Sequence, residues 1–265
     1  MHGSRRWTGW AERLPSSQWK LCAEVLKRAN VLRVPFALGG TLALATHTGK
    51  WRTTKDMDIY VLPQSRDQLI DLLSELNLRD IQDEQPYDPR FLYRATNGDG
   101  IIEIIWEMQN QRAVVDATWL MHAEEIEVGG LRLRVTAPEE LIWAKIYVIS
   151  RSRCDWPDIF NLLYYCGHGM DWKHLVSRLG DDSQLLTAIL FVLTWLSPHS
   201  YYDVPLWVLE QLGVPIPAGD VDLEKLRWRS NLLNRQDWFW PHFADEITQN
   251  GQPVAHGSAH GRKLC

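Results

Sequence analysis

The sequence predicts an α+β fold, on three observations. Up to about residue 137, segments of helical period alternate with short apolar runs of strand length. Two glycine-bearing turns between such runs mark antiparallel hairpins. After residue 138 the periodic segments are helical. The expected division is an arm over 1–15, a core of strands and helices over 16–137, a helical domain over 138–247 and a tail over 248–265. With 265 residues, 45% of them hydrophobic and 14 of them tryptophan, the chain has ample apolar side chains for one large domain or two small ones.

Residues 1–15 show no clear period and read as an arm. Ser16 or Ser17 then caps a helix to about Asn30, with Leu21, Val25 and Leu26 on its inner face, expected to pack against a sheet. Val34 to Leu38 is the first strand, Thr41 to Thr48 a helix that begins at Gly39-Gly40, and Met57 to Leu62 the second strand. Ser65 with Gln68 is a capping-box signal that opens a helix through Leu69, Leu72, Leu73 and Leu76. Phe91 to Trp106 folds back on itself at Asn97-Gly98-Asp99-Gly100, and Ile126 to Val135 does so at Gly129-Gly130. Alternation in the second hairpin puts Arg132 and Arg134 on one face, expected to meet solvent.

Thr136 with Glu139 caps the next helix, and Pro138 suits its first turn. Leu141, Ile142, Lys145, Ile146 and Ile149 share one face of it, so Lys145 interrupts an apolar stripe. Helices follow from Pro157 to Cys166, Asp171 to Leu179, Ser183 to Leu196 and Pro205 to Leu212, and their short connections imply an antiparallel bundle. Trp195, Trp207, Trp228, Trp238 and Trp240 are expected in its core or lining a groove. The tail, rich in Gly, His, Gln and Ser, is expected to be disordered, with His256 and His260 too sparse for a metal site. There is no internal repeat.

Composition excludes some classes of function. No uninterrupted apolar run approaches the roughly 20 residues of a membrane span, and Met-His-Gly-Ser-Arg-Arg-Trp lacks the apolar core of a secretion signal, so no membrane partner and a cytoplasmic location are expected. Cys22, Cys154, Cys166 and Cys265 lie far apart without a Cys-x-x-Cys pair and are read as reduced thiols. A net charge of -5 argues against a broad grip on nucleic acid.

The chemistry concentrates between Phe36 and Val61. A strand ending in Gly39-Gly40 before a helix lets backbone N–H groups approach a bound anion, an arrangement that suits a phosphate. Asp56 and Asp58, the first sixteen residues beyond Gly40, point to one face of the next strand. Two carboxylates aimed at one place repel unless a cation lies between them, and a hard divalent ion, magnesium before manganese, is the natural occupant. Glu103 stands alone in Ile101-Ile102-Glu103-Ile104-Ile105, where a buried acid is costly unless paired or metal-bound, the alternative being an edge strand on which it faces water. Asp116 is its rival as a third acid, ranked lower because Ala113 to Met121 also reads as the start of a helix.

On these residues the sequence resembles the nucleotidyltransferase superfamily, marked by a Gly-Gly or Gly-Ser turn followed by Asp-x-Asp. More narrowly it is similar to the AbiEii-like branch, whose pattern Gly39, Gly40, Gly49, Arg52, Thr54, Asp56 and Asp58 fit. The resemblance covers about residues 30–175 and implies a mixed sheet flanked by helices, followed by a helical bundle. It also implies a third carboxylate beside the Asp-x-Asp strand, a place that Glu103 fills where that branch more often has aspartate. A lysine followed by an arginine and Asp-x-x-Asp recurs there too, matched by Lys145, Arg151 or Arg153, and Asp155 with Asp158. Asp155 is read as a helix cap before any catalytic role.

The resemblance implies an enzyme that moves a nucleoside monophosphate from an NTP, ATP among them, to an acceptor and releases pyrophosphate. Asp56, Asp58 and Glu103 are then the catalytic and metal-binding acids, and Gly39, Gly40, Thr41, Arg52 and Lys145 bind the nucleotide. Thr54 is expected to brace the turn. The acceptor is open among an RNA or tRNA end, a protein hydroxyl and a small molecule. The alternative is a nucleotide-binding or interaction module that keeps the fold without turnover, a reading that Glu103 in place of aspartate sustains.

Overall fold

A computed structural model describes residues 6–198 and 203–216, together with residues 224, 225, 228, 229 and 232. The expectations for residues 1–5, Trp238, Trp240, Cys265 and the tail fall outside the described residues. The chain forms two compact units, one from Arg6 to Ala144 and one from Lys145 onward.

In the first unit α1 (Ser16–Leu32) buries Leu21, Val25 and Leu26 as its spacing requires, and Arg33 ends it in the left-handed conformation. Pro15, not a serine, occupies its N-cap position. After β1 (Phe36–Leu38) come α2 (Gly40–Thr48), β2 (Asp56–Val61) and α3 (Arg66–Glu75). Ser65 sits at the N-cap of α3 but makes no side-chain cap bond, so the expected capping box does not form. Next are β3 (Arg79–Asp80), β4 (Leu92–Thr96), β5 (Ile101–Ile105), α4 (Ala117–His122), β6 (Glu124–Val128), β7 (Leu131–Val135) and α5 (Pro138–Lys145).

The seven strands make one mixed sheet in the order β3-β4-β5-β2-β1-β7-β6. Both hairpins, β4/β5 and β6/β7, are antiparallel, as their turns dictate. The long-range pairs β2/β5 and β1/β7 are parallel, and β1 with β2 is antiparallel. Period-two alternation sends Met57, Ile59 and Val61, with Ile102 and Ile104, to one face, where all are at most 1% exposed. Each such isoleucine contributes roughly 1.5–3 kcal/mol by leaving water. The acids at 56, 58 and 103 therefore occupy the other face. Arg132 is exposed as expected, whereas Arg134 is half-buried and donates from Nη2 to the Ala123 carbonyl at 3.4 Å.

His47 on α2 is buried, and its Nε2 lies 2.7 Å from the Thr136 carbonyl. Burial first, and then the Arg6 cation, push its pKa down to about 4. The neutral ring is thus the folded form, and its contribution to stability, present above the unfolded value of about 6.5, is lost as pH falls through 4. Urea unfolding at pH 7 and pH 4 should show the wild type losing about 3 kcal/mol more than His47→Gln, which keeps an N–H donor but does not titrate. Equal losses would place the acid sensitivity elsewhere.

The second unit contains α6 (Trp156–Cys166), α7 (Trp172–Leu179), α8 (Ser183–Leu196) and α9 (Leu206–Leu212), with α6 and α9 against α8. Asp171 caps α7 by accepting from the His174 N–H. By length and composition Trp172–Leu196 could cross a membrane, but Gly180–Asp182 breaks it into two helices and places Asp181 and Asp182 between them. Trp195 and Trp207 are partly exposed and Trp228 more so, so these three are not core residues. Cys22 and Cys154 are free thiols, but Cys166 is disulfide-bonded and corrects the reading of reduced thiols throughout.

Candidate active site

The three acids predicted from sequence meet. Asp58 and Glu103 are register partners on the parallel pair β2/β5, and Asp56 is two residues from Asp58 on the same face. One carboxylate oxygen from each of Asp56, Asp58 and Glu103 lies within 4.8 Å of the other two. Glu103 is 6% exposed, and the two aspartates are half-buried. The rival, Asp116, is the N-cap of α4, its side chain accepting from the Trp119 N–H at 2.8 Å.

The Gly-Gly turn lies against the same strand. Gly39 donates its N–H to the Asp58 carbonyl at 2.9 Å and occupies the N-cap position of α2 with no side chain to cap it. The first-turn N–H groups of α2 consequently lack intrahelical partners, and the positive end of the helix dipole opens beside the acids. A Cβ on Gly39 would come within 2.4–2.8 Å of the Tyr60 ring, and one on Gly40 would fall 1.8 Å from Asp58 Oδ2. Gly40 also has φ +53°. Residues 58 and 60 alternate onto the glycine side of β2, so each glycine is required by a different side chain of that strand.

The surroundings hold the acids in place. Thr54 donates its hydroxyl to Asp56 Oδ1, a closer role than bracing the turn, and the Gln18 amide donates to the Thr54 carbonyl at 3.2 Å. Arg52, exposed, donates from Nε to the Thr41 hydroxyl at 3.3 Å, which sets a guanidinium next to the start of α2. Arg94 on β4 faces Glu103 across the hairpin and donates from Nε to Glu103 Oε1 at 2.5 Å. Sequence reasoning missed Arg94 and Gln18. The first had a signal: a hairpin that pairs Thr96 with Ile101 also pairs residue 94 with 103.

Lys145, the last residue of α5 and the one at which the second unit begins, is 7% exposed, its Nζ 2.7 Å from Asp155 Oδ2 and 2.9 Å from Asp158 Oδ2. Arg153, one of the two candidate arginines, donates Nε and Nη2 to Asp155 at 2.8 and 2.9 Å. Burial on its own would push the Asp155 carboxyl up, but the Arg153 hydrogen bond and the Lys145 ammonium outweigh it and hold it at about 2. Asp155 stands at the N-cap of α6 without capping it, because its carboxylate is turned to these cations. Two cations and two carboxylates balance there.

The Asp56, Asp58 and Glu103 oxygens form a donor set for a hard cation. Oxygens about 2.1 Å from magnesium lie up to about 4.2 Å apart, so a spread within 4.8 Å closes on an ion with small side-chain shifts.

No family model matches the sequence, and no curated protein does. Among solved structures, the chain is similar to the lincomycin-bound lincosamide antibiotic adenylyltransferase LnuA, with 16% identity, TM-score 0.40, and coverage of 56% of this chain and 96% of that one. It is also similar to ANT(2")-Ia in complex with adenylyl-2"-tobramycin, with 19% identity, TM-score 0.39, and coverage of 66% and 98%. An antigenic nucleotidyltransferase-like protein from Paracoccidioides brasiliensis matches at 17% identity and TM-score 0.39, over 67% of this chain and 94% of that one. Likeness at this distance says nothing about chemistry, which must come from the site.

Proposed function

We propose that this chain is a metal-dependent nucleotidyltransferase of the AbiEii-like kind, moving a nucleoside monophosphate from an NTP to an acceptor hydroxyl or phosphate. The observation that supports it most is the meeting of Asp56, Asp58 and Glu103 beside a helix start whose first residue has no room for a side chain. Acids alone would make a cation site and a bare helix start alone an anion site; together they suit a cation-bound polyphosphate.

In this reading Asp56, Asp58 and Glu103 hold magnesium, with manganese as substitute. The ion would neutralise the triphosphate and lower the pKa of the attacking hydroxyl. The first-turn N–H groups of α2 receive the β- and γ-phosphates, with the Thr41 hydroxyl and Arg52 alongside. Arg52 and the helix start offset the charge that builds on the departing pyrophosphate. Glu103, the most buried of the three acids, accepts the proton of the acceptor hydroxyl. Lys145, a triphosphate contact in the sequence reading, has its charge matched by Asp155 and Asp158.

The test is to incubate the protein with each α-labelled NTP, magnesium and a cell extract, and to ask which fraction carries the label. Label in an RNA, protein or small-molecule fraction, with matching pyrophosphate release, is the expected result and names the acceptor class. A second reading keeps the nucleotide site and drops turnover; the Arg94–Glu103 ion pair favours it, because an arginine already engages the third acid. Magnesium-dependent ATP binding in calorimetry, with no label transferred from any NTP, would establish that reading instead.

A further inference from the structure

We infer that Arg94 is a positioning residue of this site, fixing Glu103 so that its carboxylate meets those of Asp56 and Asp58 before a cation arrives. The inference rests on the metal-binding reading above. Register pairs Arg94 with Glu103 across β4/β5 and Glu103 with Asp58 across β5/β2, so the three form one row over adjacent strands. A glutamate has one more rotatable bond than an aspartate, and ordering it costs free energy that a bound ion would otherwise have to offset. The Arg94 Nε bond to Oε1, at 2.5 Å, removes that freedom in advance.

Charge points the same way. The Glu103 side chain is 8% exposed, and taking an acidic group out of water costs free energy that a nearby countercharge offsets. Three carboxylates sum to -3, and Arg94 brings the row and Asp56 to -2, which a single divalent ion balances. The guanidinium also repels an incoming cation, an effect of opposite sign. If repulsion dominated, Arg94 would be a competitor of the ion and not its organiser.

The two effects separate in manganese binding, measured on the full chain by calorimetry and by the paramagnetic resonance of free Mn2+, with urea midpoints to verify folding. Arg94→Gln should weaken Mn2+ binding about 10-fold, as loss of a partner to a metal ligand commonly does. Arg94→Lys, which restores the charge without the planar fork, should recover only part of the loss. In a Glu103→Gln background, Arg94→Gln should change nothing further. Unchanged or tighter binding by Arg94→Gln, or an equal loss in the Glu103→Gln background, overturns the inference. A wild type that binds no Mn2+ overturns the metal site itself, a failure distinguishable from the other two.

Discussion

Asp58→Ala should cut kcat/KM for pyrophosphate release by about 10³-fold or more while leaving the fold intact. Asp58 contributes a side chain to the acid cluster and its carbonyl to the turn, where it accepts from Gly39, and alanine keeps that carbonyl. Charge stabilisation by a bound cation is worth several kcal/mol in a transition state, and each 1.36 kcal/mol is a factor of ten in rate. The stability signature runs opposite to the activity. Like charges this close repel, so the urea midpoint of the metal-free variant should equal or exceed that of the wild type. Magnesium should raise the Tm of the wild type by mass action and leave the variant unmoved. Activity within tenfold of wild type would remove Asp58 from the chemistry and require the turnover to be carried by other residues.

The parts of this site that could be read from sequence are the ones set by local rules. Asp56 and Asp58 share a face because a strand has period two, and Glu103 was conspicuous as one acid among four isoleucines. The hairpins followed from Asn-Gly, Asp-Gly and Gly-Gly turns. That β5 would pair in parallel with β2, bringing Glu103 opposite Asp58, is a long-range fact that no local pattern encodes. β3, two exposed residues, has too little alternation to register as a strand. A side chain whose partners are tertiary was misjudged for the same reason: Asp155 looks like a helix cap until Lys145 and Arg153 are seen to claim its oxygens.

Gly40→Ala should act on activity and stability through two separable causes. The first is backbone strain: at φ +53° an alanine costs about 1–2 kcal/mol that glycine does not. The second is contact, since the new methyl would sit 1.8 Å from Asp58 Oδ2 and the carboxylate, or the turn itself, must move. A displaced Asp58 leaves Asp56 and Glu103 without the third oxygen, so Mn2+ affinity should fall with activity, and kcat/KM should drop by about 10²-fold or more. Gly213→Ala isolates the first cause: Gly213 has φ +65° at the end of α9 and open space around it, so the variant should lose about 1 kcal/mol of stability and no activity. If Gly40→Ala lost stability alone, like Gly213→Ala, Asp58 would not need to lie against the glycine for its work. The glycine pair would then serve the Tyr60 packing and the chain reversal, and the phosphate cradle would have to be sought away from the start of α2.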